Sequence, residues 1–242
     1  MGNIIEIQGL TKSFGNKEIL KGIDLFLKDG ENMVILGKSG TGKSVLIKCI
    51  VGLIIPDSGT IRLFGDNLSA FDEETFNELR TKIGYLFQGG AIYDSMSVKE
   101  NLEFPIKRTR PQTSVNELKD LVAEALINVG LEDAIDKMPS ELSGGMRKRL
   151  GLARTLILKP KIIFYDEPTT GLDPVTSKEI SELIVEIQEK HQTASIIITH
   201  DMKCARLTAN RLIVLRNGSI CKEGTYKDLK NSKDKEIRAY FN

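Results

Sequence analysis

Three runs along this chain are short and almost wholly apolar: Asn32–Leu36, Lys161–Tyr165 and Ser195–Thr199. Runs of that length without polar alternation predict strands covered on both faces, as in a parallel sheet. Two earlier segments, Ile4–Leu10 and Ile23–Lys28, alternate or cluster apolar residues and read as further strands, with Asp29-Gly30 as a turn. Between the later runs the period changes. Val115, Leu118, Leu121, Val122, Ala125, Leu126 and Val129 share one face of a helical repeat, and so do Ile180, Leu183, Ile184 and Ile187. From Ile213 to Gly224 two more short strands are expected, turning at Asn217-Gly218. Buried strands alternating with amphipathic helices predict an α/β fold with some antiparallel trim. No internal repeat or low-complexity linker divides the 242 residues, so one compact unit, 1–242, is expected.

Composition narrows the function classes. An apolar fraction of 40% beside a charged fraction of 28% belongs to an ordinary globular chain, not a disordered one. A formal charge of +1 leaves no basic footprint for nucleic acid, so no nucleic-acid partner is expected. The longest uninterrupted apolar stretch, Cys49 to Ile55, is far shorter than the roughly 18–20 residues a bilayer span needs. The amino terminus has no basic run followed by an apolar block, so a secretory signal is not expected. Cys49, Cys204 and Cys221 lack metal-ligand spacing and read as reduced cytosolic thiols.

The sharpest chemistry lies at Gly37-Lys38-Ser39-Gly40-Thr41-Gly42-Lys43-Ser44. It fits G-x-x-x-x-G-K-[ST], follows the apolar run Asn32–Leu36 and precedes a helical pattern carrying Leu46, Ile47 and Ile50. The glycines let backbone N–H groups converge on phosphate oxygens, and the helix N-terminus adds partial positive charge. Lys43 is expected to reach the β- and γ-phosphates and the Ser44 hydroxyl to ligate Mg²⁺. A second signal follows: Ile162-Ile163-Phe164-Tyr165-Asp166-Glu167 is an apolar strand ending in two carboxylates. Strand carboxyl ends face the ligand crevice in a parallel sheet. Asp166 is therefore a candidate for the Mg²⁺ shell and Glu167 for the base that deprotonates the attacking water. His200 follows the third buried run and is read as a γ-phosphate contact, whereas His191 lies in a polar stretch and is expected to be solvated.

Leu142-Ser143-Gly144-Gly145-Met146 precedes a helical stretch, Arg147 to Leu158. With this segment in place the chain resembles the ABC ATPases, whose signature is usually Leu-Ser-Gly-Gly-Gln. The resemblance runs through essentially the whole chain. It implies a P-loop NTPase (RecA-like) core with an antiparallel β subdomain, about 1–88 and 146–242, and an α-helical subdomain, about 89–145. It also implies that Phe14 stacks on adenine, and that Gln88, ending the strand-like Ile83–Phe87, contacts Mg²⁺ and the membrane partner. Thr170-Gly171-Leu172-Asp173 resembles the D-loop, and His200 the switch histidine. In that family two copies sandwich two ATP molecules, each held by one copy's phosphate loop and the other copy's signature. Ser143, Gly144, Gly145, Met146 and Asp173 would then complete the ATP site across a homodimer.

A narrower resemblance lies in Phe87-Gln88-Gly89-Gly90-Ala91-Ile92-Tyr93 and in Met146. Both are similar to the MlaF-type ATPases of the maintenance-of-lipid-asymmetry (Mla) systems, which serve lipid transporters with MCE proteins. That resemblance implies an MlaE-like integral-membrane permease, an MCE-domain lipid carrier as a further partner, and a place on the cytoplasmic face of the inner membrane. The alternative is an ATPase of another ABC transporter class, an amino-acid importer or a drug or lipoprotein exporter. A soluble ABC ATPase acting on DNA or ribosomes fits less well, because neither a long coiled-coil insertion nor a second cassette is present. No Asn-Lys-x-Asp motif for guanine occurs. The trio Arg147-Lys148-Arg149 is read as a solvated helix face.

Overall fold

The fold is described by a computed structural model covering residues 2–241, with Glu73 described for its backbone only; Met1 and Asn242, the expected ends of the unit, lie outside the described residues. In chain order the elements are β1 (Asn3–Phe14), β2 (Lys17–Lys28), β3 (Asn32–Leu36), α1 (Lys43–Ile50), β4 (Ser58–Leu63), β5 (Asp66–Asn67), α2 (Glu73–Thr81), β6 (Ile83–Leu86), α3 (Val98–Thr109) and α4 (Val115–Ile127). They continue with α5 (Gly144–Leu156), β7 (Ile162–Asp166), α6 (Pro174–His191), β8 (Ala194–Ile198), α7 (Met202–Thr208), β9 (Arg211–Arg216), β10 (Ser219–Gly224), α8 (Tyr226–Lys230) and α9 (Lys235–Arg238).

Two sheets result. One runs β2-β1-β4-β5 and is antiparallel; the other runs β10-β9-β3-β8-β7-β6. In the second, the five strands from β9 to β6 are parallel and β10 alone is antiparallel. The last hairpin turns at Asn217 and Gly218, both with positive φ, which suits the right-handed twist of its strands.

The unalternated runs of β3, β7 and β8 have a physical cause. Successive side chains of a strand point to opposite faces, and here both faces are covered. Met33, Ile35, Ile162, Phe164, Ile196 and Ile198 join a core shared with α1 and the antiparallel sheet. Val34, Leu36, Ile163, Tyr165 and Ile197 join a second core shared with α3, α4, α5 and α6. A polar residue at any of these positions would be desolvated without a partner.

Parallel pairing also aligns the strand ends. Ile35 pairs with Ile198, and Ile198 with Asp166, so these three residues form one row across β3, β8 and β7. Leu86 pairs with Tyr165 one step back. Gly37, Glu167, Thr199 and Gln88 therefore all lie within two residues of one edge of the sheet.

Candidate functional site

At that edge the chain leaves β3 and wraps into a loop that ends at α1. Gly37 must be glycine for lack of room: a Cβ there would sit 2.6 Å from the Leu215 carbonyl oxygen and 2.7 Å from Thr41 Oγ1. Gly42 is the N-cap of α1 at φ 105°, and no side chain caps the helix. No acidic residue occupies its first turn either. The amides at this N-terminus are thus open to an anion, and the helix dipole favours one.

Lys43 folds back over the loop, donating to the Gly37 carbonyl at 2.6 Å and to the Lys38 carbonyl at 2.9 Å. Burial pulls its pKa below the usual lysine range, while Glu167 and Asp166 pull the other way. An ammonium held by two neutral carbonyls is a charge awaiting an anion. Ser44 is exposed beside it. Phe14, the last residue of β1, is 50% exposed, with the Lys12 ammonium 5.5 Å from its ring centroid.

The carboxylates sit opposite. Asp166 ends β7, and its pKa is raised, first by burial and then by Glu167 beside it; Tyr85, Lys43 and Lys148 oppose the rise. The Tyr85 hydroxyl lies 3.5 Å from Asp166 Oδ2. A half-buried carboxylate crowded by a second one is a hard oxygen donor short of positive charge, which fits a divalent cation.

Glu167 takes a left-handed backbone, φ 51°, unusual for a residue with a side chain and worth about 1–2 kcal/mol of strain. Its N–H donates to the Ile198 carbonyl at 2.8 Å, tying it to the end of β8. Its carboxylate Oε2 accepts from Thr170 Oγ1 at 3.1 Å and lies 2.8 Å from His200 Nδ1. The His200 side chain is 73% exposed, so the ring reaches outward from the carboxylate it touches. Together these groups can hold a polyphosphate, polarise it and take a proton from a water.

The signature segment has contacts of its own. Ser143 is the N-cap of α5, its Oγ accepting from the Met146 N–H at 3.2 Å. Gly145 must be small, since a Cβ would meet Thr176 Cγ2 at 2.6 Å. That contact seats the signature against the start of α6, where Asp173 is the N-cap and accepts from the Val175 and Thr176 amides at 3.0 and 3.1 Å. Among the described residues no hydrogen bond joins Ser143–Met146 to the phosphate loop. The chain thus brings together Lys43, Asp166, Glu167 and His200, and seats Ser143–Met146 against the start of α6, next to Asp173.

The family model for the ABC transporter matches residues 20–170, which span both the phosphate loop and the signature. The chain belongs to the ABC transporter ATP-binding family. As a member it is an ATPase, binding and hydrolysing ATP as a transporter subunit. It is 40% identical to the probable ribonucleotide transport ATP-binding protein mkl of Mycobacterium leprae, over 100% of this chain and 70% of that protein. It is 35% identical to the intermembrane phospholipid transport system ATP-binding protein MlaF of Haemophilus influenzae, over 97% of this chain and 89% of the relative. Among solved structures, CbiO1 of Clostridium perfringens, part of the ABC transporter complex CbiONQ, superposes with a TM-score of 0.89 at 30% identity, covering 100% of this chain and 96% of that one. The dimeric post-hydrolysis structure of the ATP-binding cassette MJ0796, bound to ADP and Pi, gives a TM-score of 0.81 at 31% identity, covering 91% and 98%.

Two expectations about this ABC cassette need correction. The trio after the signature is not a solvated face. Lys148 is 6% exposed and donates to the carbonyls of Gln88 and, at 3.4 Å, Glu167. Arg147 donates to the Pro139 carbonyl at 3.1 Å and pairs with Asp94; Arg149 donates to the Val129 carbonyl at 2.8 Å and pairs with Glu179. The spacing held the clue, since Lys148, Leu152 and Leu156 recur every four residues on the buried face of α5. His191 is not solvated either: it ends α6 half-buried, its Nε2 enclosed with no hydrogen-bond partner among the described residues, and burial lowers its pKa. Met146 is half-buried against the helical core. Among the described residues no helix is long and apolar enough to cross a membrane.

Proposed function

We propose that this cassette energises phospholipid transport through a separate MlaE-like permease working with an MCE-type lipid carrier. The observation that supports the reading most is the similarity to the phospholipid-transport protein MlaF along nearly the full length of both chains. The Phe87–Tyr93 segment and Met146 agree with it. Similarity to mkl, whose name refers to ribonucleotide transport, and to methionine-import proteins of Brucella abortus supports the second reading, another ABC transporter class.

In this reading the whole chain is one cassette, and residues 89–145 are a helical subdomain set into the core. It binds the permease peripherally on the cytoplasmic face of the membrane. Gly37 to Ser44 cradle the phosphates, with Lys43 leaving the loop carbonyls for the β- and γ-oxygens. Phe14 stacks on adenine. Ser44, Asp166 and the Gln88 side chain offer the oxygen donors for Mg²⁺, which when bound neutralises phosphate charge. Glu167 takes the proton from the attacking water, and His200 orients toward the γ-phosphate. Ser143, Gly144, Gly145, Met146 and Asp173, as the family resemblance implies, act in trans, on ATP held by a second copy; the lack of any hydrogen bond from Ser143–Met146 to the phosphate loop among the described residues supports this.

Adenine stacking is separable from phosphate binding. Phe14→Ala is expected to weaken ATP about tenfold, consistent with about 1–1.5 kcal/mol for one lost aromatic contact, while inorganic pyrophosphate binds as before. Calorimetry on both ligands measures this; equal losses would assign Phe14 to packing alone. The transport reading itself is tested by purifying the cassette from mildly solubilised membranes and identifying the permease that accompanies it. A permease of the MlaE type supports phospholipid transport. One of the amino-acid or drug-export type removes it.

A further inference from the structure

Lys148 is a charged group inside the molecule whose contacts the proposed chemistry does not use. Its side chain leaves the first turns of α5, on the same face as Leu152 and Leu156, and is almost wholly enclosed. The ammonium donates to two backbone carbonyls, those of Gln88 and Glu167. These residues follow β6 and β7, which are neighbours in the sheet. A single side chain from the signature helix thus clasps the exits of two adjacent strands. Enclosing an ammonium carries a desolvation penalty that the two carbonyls and the nearby Asp166 and Glu167 carboxylates offset in part, so packing alone does not call for a charge at this position.

The position of the clasp gives it a purpose. Three bonds restrain the left-handed backbone of Glu167: its N–H donates to the Ile198 carbonyl, and its carbonyl accepts from the Thr170 N–H at 3.3 Å and from Lys148. Strained backbone persists only where surroundings over-determine it. On the other side, Gln88 opens a turn in which the Gly90 N–H donates to the Phe87 carbonyl at 2.8 Å, and Gly90 and Ala91 both have positive φ. Lys148 grips the last residue before that irregular stretch. We infer that Lys148 is a positioning residue that fastens the Gln88 turn and the Glu167 backbone to the signature helix, so that displacement of the turn is felt at the carboxylate that activates water. This rests on the proposed role of Glu167 and goes beyond it.

The test compares Lys148→Met, Lys148→Arg and Lys148→Gln in the full-length protein. Lys148→Met keeps the length and loses the charge. We expect its melting temperature to fall, because two enclosed carbonyls lose their donor and the Asp166 and Glu167 carboxylates lose a nearby cation, kcat to fall at least tenfold, and KM for ATP to stay within about twofold, since no phosphate contact is lost. Lys148→Arg should recover several-fold more kcat than Lys148→Gln, because it keeps a donor cation. In the nucleotide-free protein, hydrogen exchange at the Gly90 and Glu167 amides should quicken in Lys148→Met while that of β3 and β8 does not change. An unchanged kcat in Lys148→Met, or unchanged exchange at both amides, would overturn the inference. If Lys148→Met does not fold, equal kcat in the Arg and Gln variants would overturn it. The exchange measurement involves no turnover, so the clasp can be judged even if Glu167 proves not to be the base.

Discussion

Glu167→Gln is expected to lower kcat by about 10²–10⁴-fold, the range set by removing a positioned general base, while ATP affinity stays within about threefold. The carboxylate that would take the proton is lost, but the phosphate cradle of Gly37 to Ser44 is untouched. The glutamine is nearly isosteric, so its amide can keep partners at Thr170 Oγ1 and His200. Because ATP then persists, the nucleotide-bound pair of copies should accumulate. Light scattering after gel filtration with Mg²⁺ and ATP should show about twice the monomer mass for the variant. Steady-state hydrolysis within tenfold of the unsubstituted protein would remove Glu167 from the proton-transfer role.

Lys43→Met should have the opposite profile: ATP affinity falls about a hundredfold, and turnover with it. In the proposed reading the unsubstituted ammonium, bonded here to two loop carbonyls, exchanges them for charged phosphate oxygens. Charge-assisted bonds of that kind are worth about 1.5–3 kcal/mol each, and about 2.7 kcal/mol corresponds to a hundredfold. Calorimetric titration with ATP measures the loss. The contrast with Glu167→Gln separates holding the substrate from splitting it. Binding within threefold of normal in Lys43→Met would mean that the lysine stays on its own loop when nucleotide arrives.

Much of this site was legible in the sequence because its chemistry lies where strands end. Buried parallel strands write themselves as unbroken apolar runs, and Asp166, Glu167 and His200 follow such runs directly. The observed β3 matches its run from end to end, and β7 and β8 shift by one residue. Gly37 and Gly42 of the phosphate loop are required by close approach and Gly40 by its positive φ, and the sequence records them at fixed spacing. What escaped was set by tertiary burial. Lys148 looked like one of three solvated cations because charge dominates a local reading, although its four-residue spacing to Leu152 pointed inward. His191 ends its helix in a polar stretch, and the enclosure of its Nε2 comes from packing with distant segments. Strands β4 and β5 and helix α2 had no strong periodicity; β4 is fixed by pairing with β1, a contact made across more than fifty residues of chain. The left-handed backbone of Glu167 has no sequence mark, since the bonds that hold it run to Ile198 and Lys148, residues distant along the chain, as well as to Thr170.

Two groups of residues within one protomer, a phosphate loop facing two carboxylates and a signature seated against α6, only become a single active site if a second copy supplies the missing half. A structure of the Glu167→Gln protein with ATP and Mg²⁺ addresses this directly. The account predicts the γ-phosphate, held at Lys43 of one copy, within hydrogen-bonding distance of the Ser143 hydroxyl and Gly145 amide contributed by the other. Nucleotide bound with both of those groups far from any phosphate would contradict it.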